Sequence, residues 1–329
     1  MRIISRRSFL AGTTSTIIGA SLVNAATAGR YALALHGGAG TEPEKMTAAE
    51  RAEMEASLGQ ALDIGRKVLM DKGSSLEAVE QVIRALENDP LYNAGRGACF
   101  NAVGKHELDA SIMDGRTKAC GAVAVVRTVK NPISLARLVM DKTRHVLLIG
   151  DGAEIFADEM KVERVKNEWF STDRQWKLLE EARAREKARQ PDATKKMGTV
   201  GCVALDQFGN LAAGTSTGGL TNKRWGRIGD SPIVGAGTYA DNSTVAISCT
   251  GTGEEFIRHS IAHEVSVRVG YKGETLPVAV DHVLRKILQP DDGGLIAVSK
   301  TGEIVMDFTT AGMARAAADS SGKREIKLG

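Results

Sequence analysis

Within five residues, 197–201, the chain changes character, and that change limits what it can fold into. From 161 to 196 it is dominated by Glu, Lys, Arg, Asp and Gln, with Pro191 near the end. Such a stretch buries too little apolar surface to offset the entropy of ordering it. Residues 180–189 read as a solvated helix, and 190–196 as an exposed, mobile linker. Then comes Met197-Gly198-Thr199-Val200-Gly201, and strand signals crowd together at 200–205, 211–216, 244–249, 295–298 and 304–308. Residues 206–210 and 300–302 are hairpin turns between such strands.

Upstream, a short apolar run at 31–35 reads as a buried strand, stopped by His36-Gly37-Gly38-Ala39-Gly40. Residues 48–70 look helical. Ser74 opens a second helix with a capping box to Glu77, placing Leu76, Val79, Val82, Ile83 and Leu86 on one face, and Pro90 ends it. Strands are expected at 120–127 and 145–149, with a helix after Asn131-Pro132 between them, and further helices at 254–269 and 277–288. Helices and strands in these runs predict an α+β fold of sheets covered by helices in layers.

Several functions are excluded early. Residues 1–28 hold Arg2, Arg6 and Arg7 and no acid, so the formal +3 charge leaves the remainder near neutral, with no nucleic-acid footprint. The same 28 residues read as a signal peptide of the twin-arginine type. Ser5-Arg6-Arg7-Ser8-Phe9-Leu10 precedes a mild apolar stretch, and Ala26-Thr27-Ala28 forms a cleavage pattern. The expectation is a periplasmic or secreted protein with no membrane segment in its mature form. Cys99, Cys120, Cys202 and Cys249 are widely spaced and read as buried free thiols. No P-loop, dinucleotide fingerprint or zinc-binding helix occurs. Gly214-Thr215-Ser216-Thr217-Gly218 does fit the serine elbow G-x-S-x-G, which needs a helix directly after the serine. Glycine-punctuated residues 219–226 follow instead, and a serine hydrolase built on Ser216 stays as an alternative.

The segment 198–253 carries the stronger chemistry: Gly-Thr at the end of a charged stretch, then threonines, glycines, one arginine–aspartate set and no histidine. A threonine hydroxyl is a weak nucleophile without a base, but an N-terminal threonine brings its own α-amine, with a pKa of about 7.7–8.0. Creating that amine means breaking the bond between Gly198 and Thr199.

His36-Gly-Gly-Ala-Gly40, Leu91-Tyr-Asn-Ala-Gly-Arg-Gly97, Glu107-Leu-Asp-Ala-Ser-Ile-Met-Asp-Gly115 and Gly198-Thr-Val-Gly201 occur in that order. Thr215-Ser-Thr-Gly-Gly219, Gly226-Arg-Ile-Gly-Asp-Ser-Pro232 and Thr250-Gly-Thr-Gly-Glu254 follow. Together they resemble the isoaspartyl peptidase/L-asparaginase family of N-terminal nucleophile hydrolases, the plant-type or bacterial type III asparaginases. The resemblance covers nearly all of residues 30–315.

It implies a four-layer αββα sandwich, made as a precursor and split into an α-subunit (29–198, with the linker at about 161–198) and a β-subunit (199–329), which assemble as a dimer of αβ heterodimers. It implies autocleavage at Gly198–Thr199 and a catalytic set of Thr199, Thr217, Thr250 and Gly251: nucleophile, hydroxyl support and oxyanion donors. The substrate would meet Asn93, Arg227, Ile228, Gly229, Asp230, Thr250, Gly251, Thr252 and Gly253, with Arg227 on its α-carboxylate and Asp230 on its α-ammonium. Catalysis would use no cofactor. A structural sodium would sit on backbone oxygens of Leu86, Glu87, Asp89, Tyr92, Ala94 and Arg96. The expected reaction is hydrolysis of β-aspartyl linkages, asparagine and isoaspartyl dipeptides included, through a Thr199 acyl-enzyme. Glycosylasparaginase, a sister activity, and a non-catalytic amino-acid-binding protein are the alternatives. Met197 stands where the family has a polar residue, which would slow processing, and Trp225 is bulky for a substrate-side loop.

Overall fold

The structure is a computed structural model that describes residues 29–190 and 198–329. The signal-peptide reading, Met197 and the linker segment 191–197 lie outside the described residues. β1 (Ala32–Ala39) opens the fold, followed by α1 (Ala48–Met70) and α2 (Ser75–Asn88). Then come β2 (Leu108–Asp114), β3 (Cys120–Val126), α3 (Pro132–Lys142), β4 (Leu147–Ile149), α4 (Gly150–Glu159) and α5 (Asp173–Lys187). Beyond residue 198 lie β5 (Val200–Leu205), β6 (Leu211–Thr217), β7 (Thr238–Ala240) and β8 (Val245–Gly251). α6 (Gly253–His259), α7 (Ile261–Tyr271) and α8 (Leu276–His282) precede β9 (Gly293–Ser299), β10 (Ile304–Phe308), β11 (Met313–Asp319) and β12 (Arg324–Lys327).

The strands form two sheets, in orders β12-β11-β1-β5-β6-β2-β3-β4 and β10-β9-β8-β7. All pairs are antiparallel except β3 with β4. Period-two alternation assigns the layers. In β5, Val200, Cys202 and Ala204 pack under α1–α3, whereas Val203 and Leu205 face the second sheet. In β8, Val245, Ile247 and Cys249 pack under α6–α8, whereas Ala246 faces the first sheet. Helices, sheet, sheet, helices: the αββα expectation holds, with an inter-sheet core of mainly Ala, Val, Leu, Ile and Met side chains.

One local reading holds and three change. Ser74 Oγ does accept from the Glu77 N–H at 3.1 Å, which caps α2. The helix expected at 254–269 breaks at Ser260, whose φ of 47° separates α6 from α7. The one expected at 277–288 runs into a π-helical turn at Val283–Ile287. The stretch 161–190 is not a linker: α5 forms within it, docked through Leu179 and Gln175, and Phe170 ahead of it is fully buried. Composition misled here because three buried residues suffice to dock a helix whose other faces are solvated. No helix among the described residues is long and apolar enough to cross a membrane.

Candidate active site

The candidate residues gather between the sheets, where β5 begins and β6 and β8 end. Thr199 directly precedes β5 and is 8% exposed. Its hydroxyl donates to Thr217 Oγ1 at 3.0 Å. Thr217 Oγ1 also accepts the Gly219 N–H at 3.0 Å, which fixes the support from its other side. Alternation along β6 puts Thr217 on the inter-sheet face and Ser216 on the helix face. Ser216 Oγ donates to Glu87 at 2.7 Å under α2. Fully buried within β6 and on the side of the sheet away from the pocket, Ser216 is no elbow nucleophile.

The bond before Thr199 is held as firmly. Asn93 N–H donates to the Gly198 carbonyl at 3.1 Å. Its side chain is locked by a bond to Gly219 O at 2.8 Å and one from Cys99 N at 2.7 Å. On the other side of Thr199, its own carbonyl meets His36 Nδ1 at 3.0 Å. Burial drives the His36 pKa down to about 3, so the ring is neutral.

A narrow pocket opens above the threonine pair, walled by Gly219, Leu220, Arg227, Gly229, Asp230, Ser231 and Gly251. Asp230 is 4% exposed, and its Oδ2 has no hydrogen-bond partner. Burial pushes this carboxyl up to about 7. An unpaired carboxylate oxygen in a buried pocket is costly unless a cation or donor arrives. Arg227 spends its fork within the protein: Nε and Nη2 donate to the two Glu254 oxygens at 2.9 Å each. That bidentate bond holds Glu254 below the usual carboxylate range.

The remaining expected residues divide. Gly251 lines the pocket, while Thr250 is fully buried and accepts the Ala39 N–H on Oγ1 at 3.1 Å. Gly253 starts α6 hard against Arg227 and Asp230. Thr252 caps α6 and gives its N–H to Asp292 O at 2.7 Å, and Ile228 is half-buried outside the pocket wall. Trp225 is 96% exposed and does not crowd the pocket. Sequence reasoning missed Leu220 and Ser231, and gave His36 no role. It also missed a buried pair beneath Gly219, Lys223 with Asp109 at 3.9 Å, whose partners lie over a hundred residues apart.

The loop after α2 turns back on itself. Arg96 N–H donates to Glu87 O at 2.7 Å, and Gly95, at φ +47°, sits so close that a Cβ would lie 2.2 Å from that same carbonyl. The Glu87 carboxylate points inward, taking Ser216, Ile133 N and Asn131. The Asp89 carboxylate takes Ser57 and Leu91 N. What the loop can offer a cation is therefore main-chain oxygen, a donor type that suits hard cations rather than soft, thiolate-seeking ones. Among the described residues no group of three His, Cys, Asp or Glu could hold a metal.

Two facing sheets between helical layers, with a threonine hydroxyl seated on a second threonine at the sheet end, define a layered hydrolase of the N-terminal nucleophile type. The chain belongs to the asparaginase family, whose model matches residues 29–328. It is 46% identical over 297 residues to an isoaspartyl peptidase of Escherichia coli, covering 88% of this chain and 92% of that one. A human isoaspartyl peptidase/L-asparaginase is 44% identical over 286 residues, 86% of this chain and 92% of its own. An Arabidopsis thaliana protein bearing the same activity name is 44% identical over 324 residues, 91% of this chain and 99% of its own. This spread corrects the expectation of a periplasmic or secreted protein. The relatives are plant, mammalian and bacterial isoaspartyl peptidases alike, and nothing in these matches supports export, so the localisation drawn from the arginine pair does not stand.

Proposed function

We propose that this protein is an isoaspartyl peptidase/L-asparaginase that cuts its own chain between Gly198 and Thr199 and then uses Thr199 as nucleophile. The observation that carries this is the Thr199 hydroxyl on Thr217 Oγ1 at 3.0 Å, below a pocket walled by Arg227 and by Asp230, a buried acid with one unpaired oxygen. In the precursor, Thr199 Oγ adds to the Gly198 carbonyl carbon while Asn93 N–H binds the carbonyl oxygen. The C–N bond breaks to leave an ester, and water releases the Gly198 carboxylate and a free Thr199 amine. In turnover that amine takes the hydroxyl proton as Oγ attacks the β-carbonyl of the substrate. The Thr199 amine passes that proton to the substrate's amide nitrogen, which departs as ammonia or an amino acid, and water hydrolyses the β-aspartyl ester.

Asp230 receives the substrate α-ammonium, and Arg227 receives the α-carboxylate once it is shared with or released by Glu254. Gly251 and Thr250 supply the oxyanion side; Gly229 walls the clamp, Gly253 backs it against Arg227 and Asp230, and Ile228 and Thr252 flank it in the chain. The reading keeps a cofactor-free reaction and a sodium ion on the carbonyls of Leu86, Glu87, Asp89, Tyr92, Ala94 and Arg96. When bound, that ion supplies no reacting atom; it steadies the loop that carries Asn93. Replacing sodium by choline should lower the thermal midpoint. Two such two-chain units would pair, and the exposed Leu147, Ile149 and Ile155 offer apolar surface for that contact; sedimentation of the processed protein tests it.

Thr199→Ala tests the core of the reading. Intact mass should show one uncut chain, and no ammonia should be released from asparagine. Cleavage before residue 199 in that variant, or residual turnover, would overturn the mechanism. Assaying asparagine, a β-aspartyl dipeptide and a glycosylated asparagine side by side separates this activity from glycosylasparaginase.

A further inference from the structure

Resting on the reading of Thr199 as nucleophile, we infer that His36, Ser248, Thr215 and Thr238 form a buried hydrogen-bonded line that positions Thr199 and ties it to the substrate loop at Ser231. The register builds it. Across the first sheet His36 on β1 lies opposite Gly201 on β5, Gly201 opposite Thr215 on β6, and Thr215 opposite Ser111 on β2. From the facing sheet, Ser248 on β8 and its pair partner Thr238 on β7 complete the row. The five side chains are 0% exposed. The links run from His36 Nε2 to Ser248 Oγ at 3.0 Å, Ser248 to Thr215 at 2.7 Å, and Thr215 to Thr238 at 2.6 Å. Ser111 then meets Thr238 at 2.8 Å and the Ser231 carbonyl at 2.6 Å.

Donor and acceptor rules give the line a direction. A carbonyl only accepts, so His36 Nδ1 carries the proton it gives to Thr199 O. In a neutral ring Nε2 is then an acceptor, and Ser248 must donate to it. Ser248 has one proton, so Thr215 donates to Ser248, and Thr238 to Thr215. From Thr238 through Thr215 and Ser248 to His36 every bond points the same way, toward the carbonyl of Thr199, an arrangement in which each donor polarises the next. With Thr217 holding Oγ and His36 holding the carbonyl, the nucleophile is gripped at two points. At the other end Ser111 has one proton to give, to Thr238 or to the Ser231 carbonyl, so the directed line starts at Thr238 and Ser111 packs it against Ser231, next to Asp230.

Two features argue against mere packing. Hydroxyls in an apolar inter-sheet layer could be replaced by Val or Ala of similar shape at small cost, yet here they stand in an unbroken row. Gly201 is shaped for the line as well: a Cβ there would lie 2.0 Å from Ser248 Oγ and 2.3 Å from His36 Nε2. Any side chain at that position would sever the link.

The test uses self-processed protein, with Thr215→Val and Ser248→Ala made singly and together. Each single variant should lose about tenfold in kcat, the worth of one hydrogen bond, with KM within about twofold. The double variant should be no slower than the slower single, since one line cannot be broken twice. Unchanged kcat, a rise in KM that outweighs the fall in kcat, or multiplying losses in the double variant would each overturn the inference. In wild-type protein labelled with 15N-histidine, the neutral signal lost in His36→Gln should show the Nδ1–H tautomer at pH 7. An Nε2–H pattern would overturn the inference even if the variants fail to fold. Failure of the underlying reading looks different: Thr199→Ala would then retain turnover.

Discussion

Asp230 lines the pocket as a buried acid with one unpaired oxygen, and under the proposed role its pH behaviour should be readable in kinetics. With its carboxyl near 7 in the free enzyme, protonation below that pH removes the charge that meets the substrate ammonium. kcat/KM should therefore rise through pH 7, with the Thr199 amine titrating close by at about 7.7–8.0. Below both values the profile should have a slope of two, falling to one in Asp230→Asn. That variant should also lose roughly 10- to 150-fold in kcat/KM, the worth of a charged hydrogen bond. A slope that stays at two would remove Asp230 from the role. Ser216→Ala should still self-cleave and turn over, because its hydroxyl serves Glu87 on the opposite face; a dead Ser216 variant would revive the serine reading. That Thr199, Thr217, Arg227 and Asp230 would gather at one place was legible because each sits in a short string that resembles the family's. The Arg227–Glu254 and Lys223–Asp109 pairs were not, since a partner brought in by tertiary folding leaves no local pattern.

Among the elements, α5 departs most from its composition and is the most exposed to test. Its Gln175 side chain donates to Gly97 O at 2.8 Å, and Arg174 to the carbonyls of Pro90 and Leu91. The helix thus clasps the loop that carries Asn93. Leu179→Ala should cost about 2–5 kcal/mol and expose residues 173–187 to proteolysis; an unchanged melting curve would mean the docking holds nothing. β5 and β10 were legible end to end because β-branched and apolar residues are bounded by turn chemistry. β2 was missed because Asp109 and Ser111 occupy positions that ought to be apolar, a consequence of the polar row between the sheets. β11 was missed because Met-Ala-Arg-Ala-Ala-Ala-Asp reads as helix-forming alanine, and only its place beside β1 makes it a strand. Register and sheet order were beyond reach, since they depend on contacts distant in sequence.

Across the whole molecule, buried acids tilt stability with pH. Burial raises Glu87 to about 7, above its unfolded value near 4.3. Its contribution is complete below that unfolded value and is lost as pH rises through 7. Glu87→Gln, which cannot ionise, should gain on wild type between pH 5 and pH 8 in urea unfolding; a constant difference would contradict the assignment. The first sheet also alternates across the proposed cut. β1 and β2 precede the Gly198–Thr199 bond, whereas their neighbours β11, β5 and β6 follow it. A precursor weaves that sheet within one molecule, but a processed enzyme that melts becomes two threads that must find each other before either can pair. Processing would then act as a ratchet, trading the capacity to refold for a working nucleophile, so that lifetime depends on the rate of unfolding rather than its equilibrium. Heated and cooled, the Thr199→Ala chain should recover its fold at any dilution, and the processed enzyme only when concentrated.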